Sequence, residues 1–509
     1  MRTTQFMPAL YAALTISIAG CGAAPPASPG PARPPPAAGA PGPKVDEGSL
    51  VNEQGDAELA ASPGLEGALD RYRKGDMEAA AASFYAILEA PAGHSTPDLA
   101  AAQFFAAKAL ARRGYRVASL SFFGEIGRDP THRYFDRTLF WLAHLADELP
   151  EDEPVLRLLS RYLPNRLDSG APSQPQALVE SALYYRGRAY YQQRDFDRAI
   201  RLLRGVPAGS RWAVYARFFE GVSQLRSADP DAAATSFEAA VREAARAPGV
   251  EEAARLRDLA WISLARVHYS KAKAETDEVS LAGGEALRLA LEAYGRVSDD
   301  GGFQDDARLE QAWALVRLGD TGRALASLDR ISAPYAEATP EVHYLRSYVH
   351  FARCEIDKAA ATIEAFRQAY GRASALVERL GREAGDAARD PASTQASPVL
   401  HAVVTSALAQ RDVRRIFELL SVIKGEKELL AAAPPAFQSS PLGARIFREL
   451  EQASAAASDR ITESVKKRCD RFAQESREEL WRAEMIELEI ESIRGGLSTC
   501  APPKKAPLR

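Results

Sequence analysis

A spacing of 34 residues between matching segments constrains the fold of this 509-residue chain more than any other feature. Gly187 is followed twelve residues later by Ala199, and the same pair returns 34 residues further on as Gly221 and Ala233. Large apolar residues follow each pair, at Leu203 and Phe237. Two helices that cross closely need small residues where their backbones meet. The spacing therefore predicts a repeated helical hairpin that buries its apolar face only by stacking on its neighbours.

Six further segments pair a small or branched residue with a large apolar residue four positions on. They are Ala80 with Phe84, Ala118 with Phe122, a degenerate Val155 with Leu159, Ala290 with Tyr294, Ala324 with Leu328, and Ala359 with Ile363. This period and these residue types resemble the tetratricopeptide repeat (TPR). The resemblance implies an all-α, TPR-like α-solenoid of about eight helix hairpins. An insertion around 274–284 and mostly unfilled Trp and Pro positions depart from the pattern, so we expect irregular curvature.

The helical repeats are followed by a small, polar and proline-containing break at 385–398. Beyond it, helical periodicity predicts helices at 399–408, 412–432 and 442–494, the last of them long. Small residues in that last helix recur every seven positions at Cys469, Ser476 and Ala483 and favour close packing on the preceding helix of the chain over a partner's helix. The predicted domains are therefore a solenoid at 61–385, a C-terminal helical domain at 398–500, and a disordered tail at 501–509.

The N-terminus has the features of an exported lipoprotein. Arg2 precedes an apolar run from Ala9 to Ile18, which is too short to span a membrane, and the run leads into Ala19-Gly20-Cys21. Small residues before a cysteine resemble the bacterial lipobox, and the alternative is an ordinary signal peptide cut at a small residue. We expect residues 1–21 to be a lipoprotein signal peptide, and lipid on Cys21 to anchor the mature chain to the membrane. We expect residues 22–60, with nine prolines between 22 and 44, to be a Pro/Ala-rich disordered linker.

Gly22, where an Asp would favour retention in the inner membrane, favours the outer membrane. We expect the chain to face the periplasm rather than the cell surface. The layout resembles that of TPR lipoproteins of the outer-membrane barrel-assembly machinery and of secretin-piloting systems. In size, and in its long C-terminal helical region, it resembles more closely the TPR lipoproteins of gliding-motility machinery, a comparison that rests on the repeats around 312–371. These resemblances imply a scaffold that binds other envelope proteins.

Four cysteines lie at 21, 354, 469 and 500. Lipidation of Cys21 would leave an odd number of thiols in an oxidising compartment. A continuous helix to 494 would carry Cys469 about 37 Å from its end. The six residues that follow span at most about 21 Å. A bridge between Cys469 and Cys500 therefore requires a break in that helix, or another partner.

The sequence carries no recognisable catalytic site. It has no nucleotide-binding glycine loop, metalloprotease motif or nucleophile elbow, and its net charge of −4, with no basic run longer than Lys466–Arg468, gives no reason to expect nucleic acid. His343, His350 and Cys354 share one helix face that would suit a soft metal, but the register favours packing for that face. We therefore predict a non-enzymatic protein that needs neither a metal nor a cofactor.

Projection onto the repeats places aromatic and arginine side chains in a concave groove. They are Tyr184, Arg188, Tyr191, Tyr215, Phe218, Arg226, Arg266, Tyr269, Trp313, Arg317, Tyr344, Tyr348 and Phe351. These residue types are enriched at binding hot spots, and such a groove would suit an extended peptide or helix of another envelope protein. An alternative is a solute- or glycan-binding lipoprotein, which a deep closed pocket would favour, and a third is an enzyme subunit with its site in the C-terminal helices.

Overall fold

A computed structural model describes residues 62–150, 155, 158–159, 176–246, 251–274, 281–299 and 302–500. The predicted signal peptide, the lipidation site at Cys21, the linker at 22–60 and the tail at 501–509 lie outside the described residues. In the part that is described, all regular secondary structure is helical, which confirms the predicted all-α class.

The helices are numbered in chain order. They are α1 Pro63–Arg73, α2 Met77–Glu89, α3 Thr96–Arg113, α4 Arg116–Ile126, α5 Phe135–Glu148, α6 Gln176–Gln192, α7 Phe196–Arg204, α8 Ala213–Arg226, α9 Pro230–Ala245, α10 Glu251–Ala274, α11 Leu281–Tyr294, α12 Gln304–Arg317, α13 Thr321–Asp329, α14 Ala333–Ala338, α15 Glu341–Ala352, α16 Ile356–Arg382, α17 Ala384–Arg389, α18 Pro398–Leu408, α19 Arg411–Ala431, α20 Pro435–Gln438 and α21 Pro441–Arg494. A 3₁₀ turn lies at Pro391–Thr394. None of the described helices is both long and apolar enough to cross a membrane.

The described helices form two compact units. The N-terminal unit contains the described residues within 62–227 and 415–458, and the C-terminal unit contains those within 228–414 and 459–500. Within each unit, consecutive helices of the repeats pack on one another, as α3 does on α4 and α15 on α16. The domain boundaries drawn from composition remain predictions.

Tight turns connect the two helices of a hairpin, and several of them share one construction. The second residue after the first helix has a positive φ, as in Gly75, Arg194 and Gly319, and the next residue is an aspartate. That aspartate caps the second helix, since Asp195 accepts a hydrogen bond from Arg198 N at 3.2 Å. Its own N–H donates back to the first helix, as Asp195 N does to Tyr190 O at 3.0 Å. The turn thus satisfies backbone groups at both helix ends.

The helix crossing predicted at Gly187 is present between α6 and α7. A Cβ atom at Gly187 would lie 2.6 Å from Cγ of Leu203, closer than side chains pack. Glycine is therefore required for the approach of these two helices, as the 34-residue pattern indicates. The side chain that packs against Gly187 is the large Leu203.

The C-terminal unit has a core shared by its last repeats and the second part of α21. The ring of Tyr370 in α16 stacks on Phe472 in α21 with centroids 5.8 Å apart, and Cys469 lies against Gly381. The predicted small-residue row of α21 is buried at Cys469, Ser476 and Ala483. This row packs within the chain, but its neighbour is α16 rather than the preceding helix α19, which corrects the predicted pairing.

In the N-terminal unit, the end of α19 and the start of α21 pack on α2 and α4. The carboxylate of Glu426 accepts a hydrogen bond from Val117 N at 2.8 Å, in the first turn of α4. Burial raises the pKa of this carboxyl to about 7. The Arg445 guanidinium lies 4.0 Å from the centroid of the Phe122 ring. C-terminal helices therefore cover repeats in both units.

Candidate functional site: an apolar cleft between α15 and α21

The predicted groove residues of the N-terminal unit lie close together, but they pack on aromatic neighbours instead of lining an open groove. Tyr184 and Phe218 are only 2% and 3% exposed, and Tyr184 stacks on Trp212 with ring centroids 4.5 Å apart. The Arg188 guanidinium lies over Phe219 at 4.8 Å. Tyr191, Tyr215 and Arg226 are partly exposed around this cluster. The assignment of Tyr184 and Phe218 to an open groove is therefore wrong, because sequence projection missed Trp212 and Phe219 as their covering neighbours.

In the C-terminal unit, the predicted groove cations hold internal contacts. Arg266 and the buried Glu310 form an ion pair in which Nη2 and Oε1 are 2.7 Å apart, and Tyr294 Oη donates to the same carboxylate at 2.8 Å. The Arg317 guanidinium lies over the ring of Tyr269 at 5.0 Å. Arg266 is thus part of a buried polar network that joins α10 to α12.

Trp313, predicted in the groove, is a core residue. Its side chain has no exposed surface, and its indole Nε1 donates to Glu341 at 2.7 Å. The ring packs beside Tyr344. The prediction that Trp313 contacts a partner is therefore wrong, since it fills the space between two repeats.

The last three predicted groove residues line a cleft of about 470 Å³ in the C-terminal unit. Tyr344, Tyr348 and Phe351 of α15 form one wall, and residues of α21 and the segment after it form the other. The α21 side contributes Trp481, Arg482, Met485, Ile486, Glu489 and Ile493, with Ser498 and Thr499 beyond the helix. Burial raises the pKa of Tyr348 to about 12, so its hydroxyl remains protonated. The cleft is thus mainly apolar, with a few polar atoms at its edge.

Exposed apolar side chains continue from the cleft along α21. Trp481, Met485 and Leu488 are 60%, 41% and 57% exposed, and steps of four and three residues place them on one helix face. We call these three residues the apolar stripe. Leu497, just beyond the helix, is 85% exposed. Of the eight large apolar residues that are exposed among the described ones, four therefore fall between 481 and 497.

Charges around the cleft are mainly negative. Between 474 and 494, α21 carries seven glutamates and three arginines. Each of the three arginines is paired with a carboxylate: Arg477 with Glu378, Arg482 with Glu479 and Arg494 with Asp357. Glu484, Glu489 and Glu491 are exposed, and no cation of the described residues lies within ion-pair distance of them. The edge of the apolar stripe is therefore negatively charged.

A buried carboxyl lies behind this edge. Glu479 is 7% exposed, and burial raises its pKa to about 7, although Arg482 acts in the opposite direction. Arg482 also lies over the ring of Tyr344 at 5.8 Å. Arg482 is thus held between Glu479 and Tyr344 and leaves no exposed cation in the cleft wall.

A disulfide between Cys354 and Cys500, with Cα atoms 5.9 Å apart, holds the segment after α21. Cys354 lies in the turn between α15 and α16, so the bond keeps Ser498 and Thr499 beside the cleft. The sequence left the partner of Cys500 open, and the structure supplies it. Cys469 is a buried free thiol whose pKa burial raises to about 11.

The other residues of the candidate metal face also have partners. The His343 ring stacks on Phe366 with centroids 5.5 Å apart, and burial lowers its pKa to about 4. His350 Nδ1 lies 2.7 Å from the Glu355 carboxylate. Within the described ranges, no three His, Cys, Asp or Glu side chains are grouped so as to hold a metal ion. This helix face therefore serves packing, a hydrogen bond and the disulfide.

Sequence reasoning missed the α21 wall of the cleft. The only signal was the spacing of Trp481, Met485 and Leu488, which are large apolar residues on the face opposite the small-residue row. That spacing can belong to a buried face as well as to an exposed one. The face is exposed because the opposite face of α21 packs on α16, a contact between segments that are distant in the sequence.

Comparison with known proteins supports the repeat. The family model described as tetratricopeptide repeat matches residues 181–207, which contain most of α6 and all of α7. No curated protein sequence matches the chain. A crystal structure of the P58(IPK) TPR domain aligns with 77% of this chain and 96% of its own length, at 14% identity and a TM-score of 0.18. The match at residues 181–207 and the helical hairpins of the described residues are TPR-like, and such repeats generally bind proteins.

Proposed function

We propose that this chain is a non-enzymatic scaffold of the bacterial cell envelope, which binds partner proteins through the cleft between α15 and α21. The observation that carries the proposal is the exposure of Trp481, Met485 and Leu488 beside an apolar cleft. Contiguous apolar surface exposed on a folded domain commonly marks an interaction site. Tryptophan is one of the residue types enriched at the centre of such sites.

The form of the cleft favours a protein over a small solute. A pocket for a solute or glycan encloses most of its ligand, as the alternative lipoprotein function would require. Here Trp481 is 60% exposed at the cleft edge, and the apolar surface continues outward to Leu488. A protein segment can cover this whole surface, whereas a small solute would leave most of it in water.

The cysteines support an envelope location. Disulfides persist in oxidising compartments such as the periplasm, and the chain contains one between Cys354 and Cys500. The lipobox-like sequence that ends at Cys21 provides a site for a lipid anchor. We propose that the mature chain is held by lipid at the outer membrane, facing the periplasm, within an assembly that serves outer-membrane assembly, secretion or motility.

Membrane fractionation followed by affinity capture tests this function. The intact chain should be found in the membrane fraction and retain defined envelope proteins after solubilisation. Cys21→Ala should move the chain to the soluble fraction, because it removes the thiol that carries the lipid. Cys469→Ala is the matched control, since that thiol is buried, and it should stay with the membrane. Retention of Cys21→Ala in the membrane would rule out lipid anchoring, and a failure to retain any envelope protein would rule out the scaffold.

A further inference from the structure

We propose that the apolar stripe and its cleft bind a basic amphipathic segment of a partner protein. The inference rests on the proposed scaffold function and specifies the chemistry of the partner. Such a segment would place apolar side chains in the cleft and lysine or arginine side chains against the glutamates of α21. Three features of the site carry this inference: its shape, its charge and the pairing of its own cations.

The shape fits one turn or more of a helix. The stripe presents large side chains at positions 481, 485 and 488, a spacing by which one helix face meets another. The cleft beside it, about 470 Å³, is large enough for one or two apolar side chains of a partner. Phe351 and Tyr348 on the opposite wall supply the aromatic surface that such anchors contact.

The charge selects a cationic partner. Glu489 lines the cleft itself, and Glu484 and Glu491 lie one helical turn or less from residues of the stripe. All three are exposed, and none of the described cations neutralises them. A bound lysine or arginine would therefore gain a carboxylate partner without breaking an existing ion pair.

The same charges disfavour the other occupants of an apolar face. A second copy would bring its own stripe, with seven glutamates and three arginines between 474 and 494, against an equally acidic surface. Like charges brought face to face oppose association. An anionic lipid surface would be repelled for the same reason. A basic protein segment is the occupant that satisfies both the apolar and the acidic parts of the site.

Peptide titration of the intact, detergent-solubilised chain tests the inference. The probe is a synthetic 18-residue peptide with leucines on one helical face and lysines elsewhere. Two comparison peptides are an acidic version, with glutamate for lysine, and a scrambled version of the same composition without an apolar face. Fluorescence anisotropy of the labelled peptides should show saturable binding of the basic amphipathic peptide at least about tenfold tighter than of either comparison peptide, a difference of 1.4 kcal/mol.

Two variants locate the binding. Trp481→Ala with Leu488→Ala removes exposed anchors without opening the core, and it should weaken peptide binding at least about tenfold. Phe417→Ala is the matched control, because it removes an exposed aromatic ring far from the stripe in sequence. Phe417 is 44% exposed, and its loss should leave peptide binding unchanged. Replacement of Glu484, Glu489 and Glu491 by lysine should reverse the preference and favour the acidic peptide. Circular dichroism should show the same helicity for all variants.

Several outcomes would overturn the inference, and they differ from a failure of the scaffold function. Equal binding of the scrambled peptide would reduce the effect to charge attraction alone. Self-association of the intact chain that is lost in Trp481→Ala would make a second copy the occupant. Binding only after truncation at Cys500 would assign the site to residues 501–509, which include Lys504, Lys505 and Leu508. If no peptide binds while envelope proteins are still captured, the scaffold stands and the partner chemistry is wrong.

Discussion

Trp313→Ala is expected to lower the free energy of unfolding by about 3–5 kcal/mol, the cost typical of removing a buried tryptophan. The indole has no exposed surface and is among the largest fully buried side chains of the described residues. Its removal would leave a cavity between two repeats. It would also remove the Nε1 donor that lies 2.7 Å from the Glu341 carboxylate.

Urea unfolding followed by circular dichroism measures this loss. Trp481→Ala is the matched control, because it deletes the same side chain where it is 60% exposed. Exposed substitutions usually change stability by less than about 0.5 kcal/mol, so the control should unfold near the wild-type midpoint. Similar effects of the two substitutions would contradict the placement of Trp313 in the core. They would support the prediction from sequence that Trp313 lies in an exposed groove.

Loss of the disulfide in Cys354→Ser with Cys500→Ser is expected to cost about 2–5 kcal/mol. The bond joins residues 146 positions apart, so it excludes many extended conformations of the unfolded chain. It also holds the segment after α21 against the turn between α15 and α16. The double variant should therefore unfold at a lower urea concentration than the wild type.

A reductant provides the internal test of this second effect. Reduced wild-type chain should unfold at the midpoint of the double variant, and the double variant should not respond to reductant. Cys469→Ala retains the bond and should keep the wild-type response to reductant. A wild-type midpoint that is unchanged by reduction would mean that the Cys354–Cys500 bond does not stabilise the fold.

The helical architecture could be predicted from the sequence because its signals are local. The helices predicted at 399–408, 412–432 and 442–494 agree with α18, α19 and α21 to within one residue at each end. The crossing at Gly187 follows from a spacing that two neighbouring helices impose. The aspartates that cap second helices, such as Asp195, were a further local signal that the sequence reading did not use.

The candidate site could be predicted only in part, because exposure depends on contacts between distant segments. Tyr348 and Phe351 were identified from the repeat register, and both line the cleft. Trp313 is also aromatic and was placed in the same groove from the repeat register, yet Glu341 and Tyr344 of the next repeat contact it in the core. Arg266 is paired with a carboxylate 44 residues away. Nothing in the register shows where α21 packs, and α21 supplies the second wall of the cleft.

Site-specific photocrosslinking in living cells tests the central claim that the apolar stripe is the face that binds partner proteins. A photoreactive amino acid would replace Leu488, which is 57% exposed in the stripe, or Phe417, which is 44% exposed elsewhere, in the intact chain. Crosslinks to defined envelope proteins are expected from position 488, and none of these from position 417. Crosslinks from position 417 but not from position 488 would contradict the claim and place the interaction on another surface.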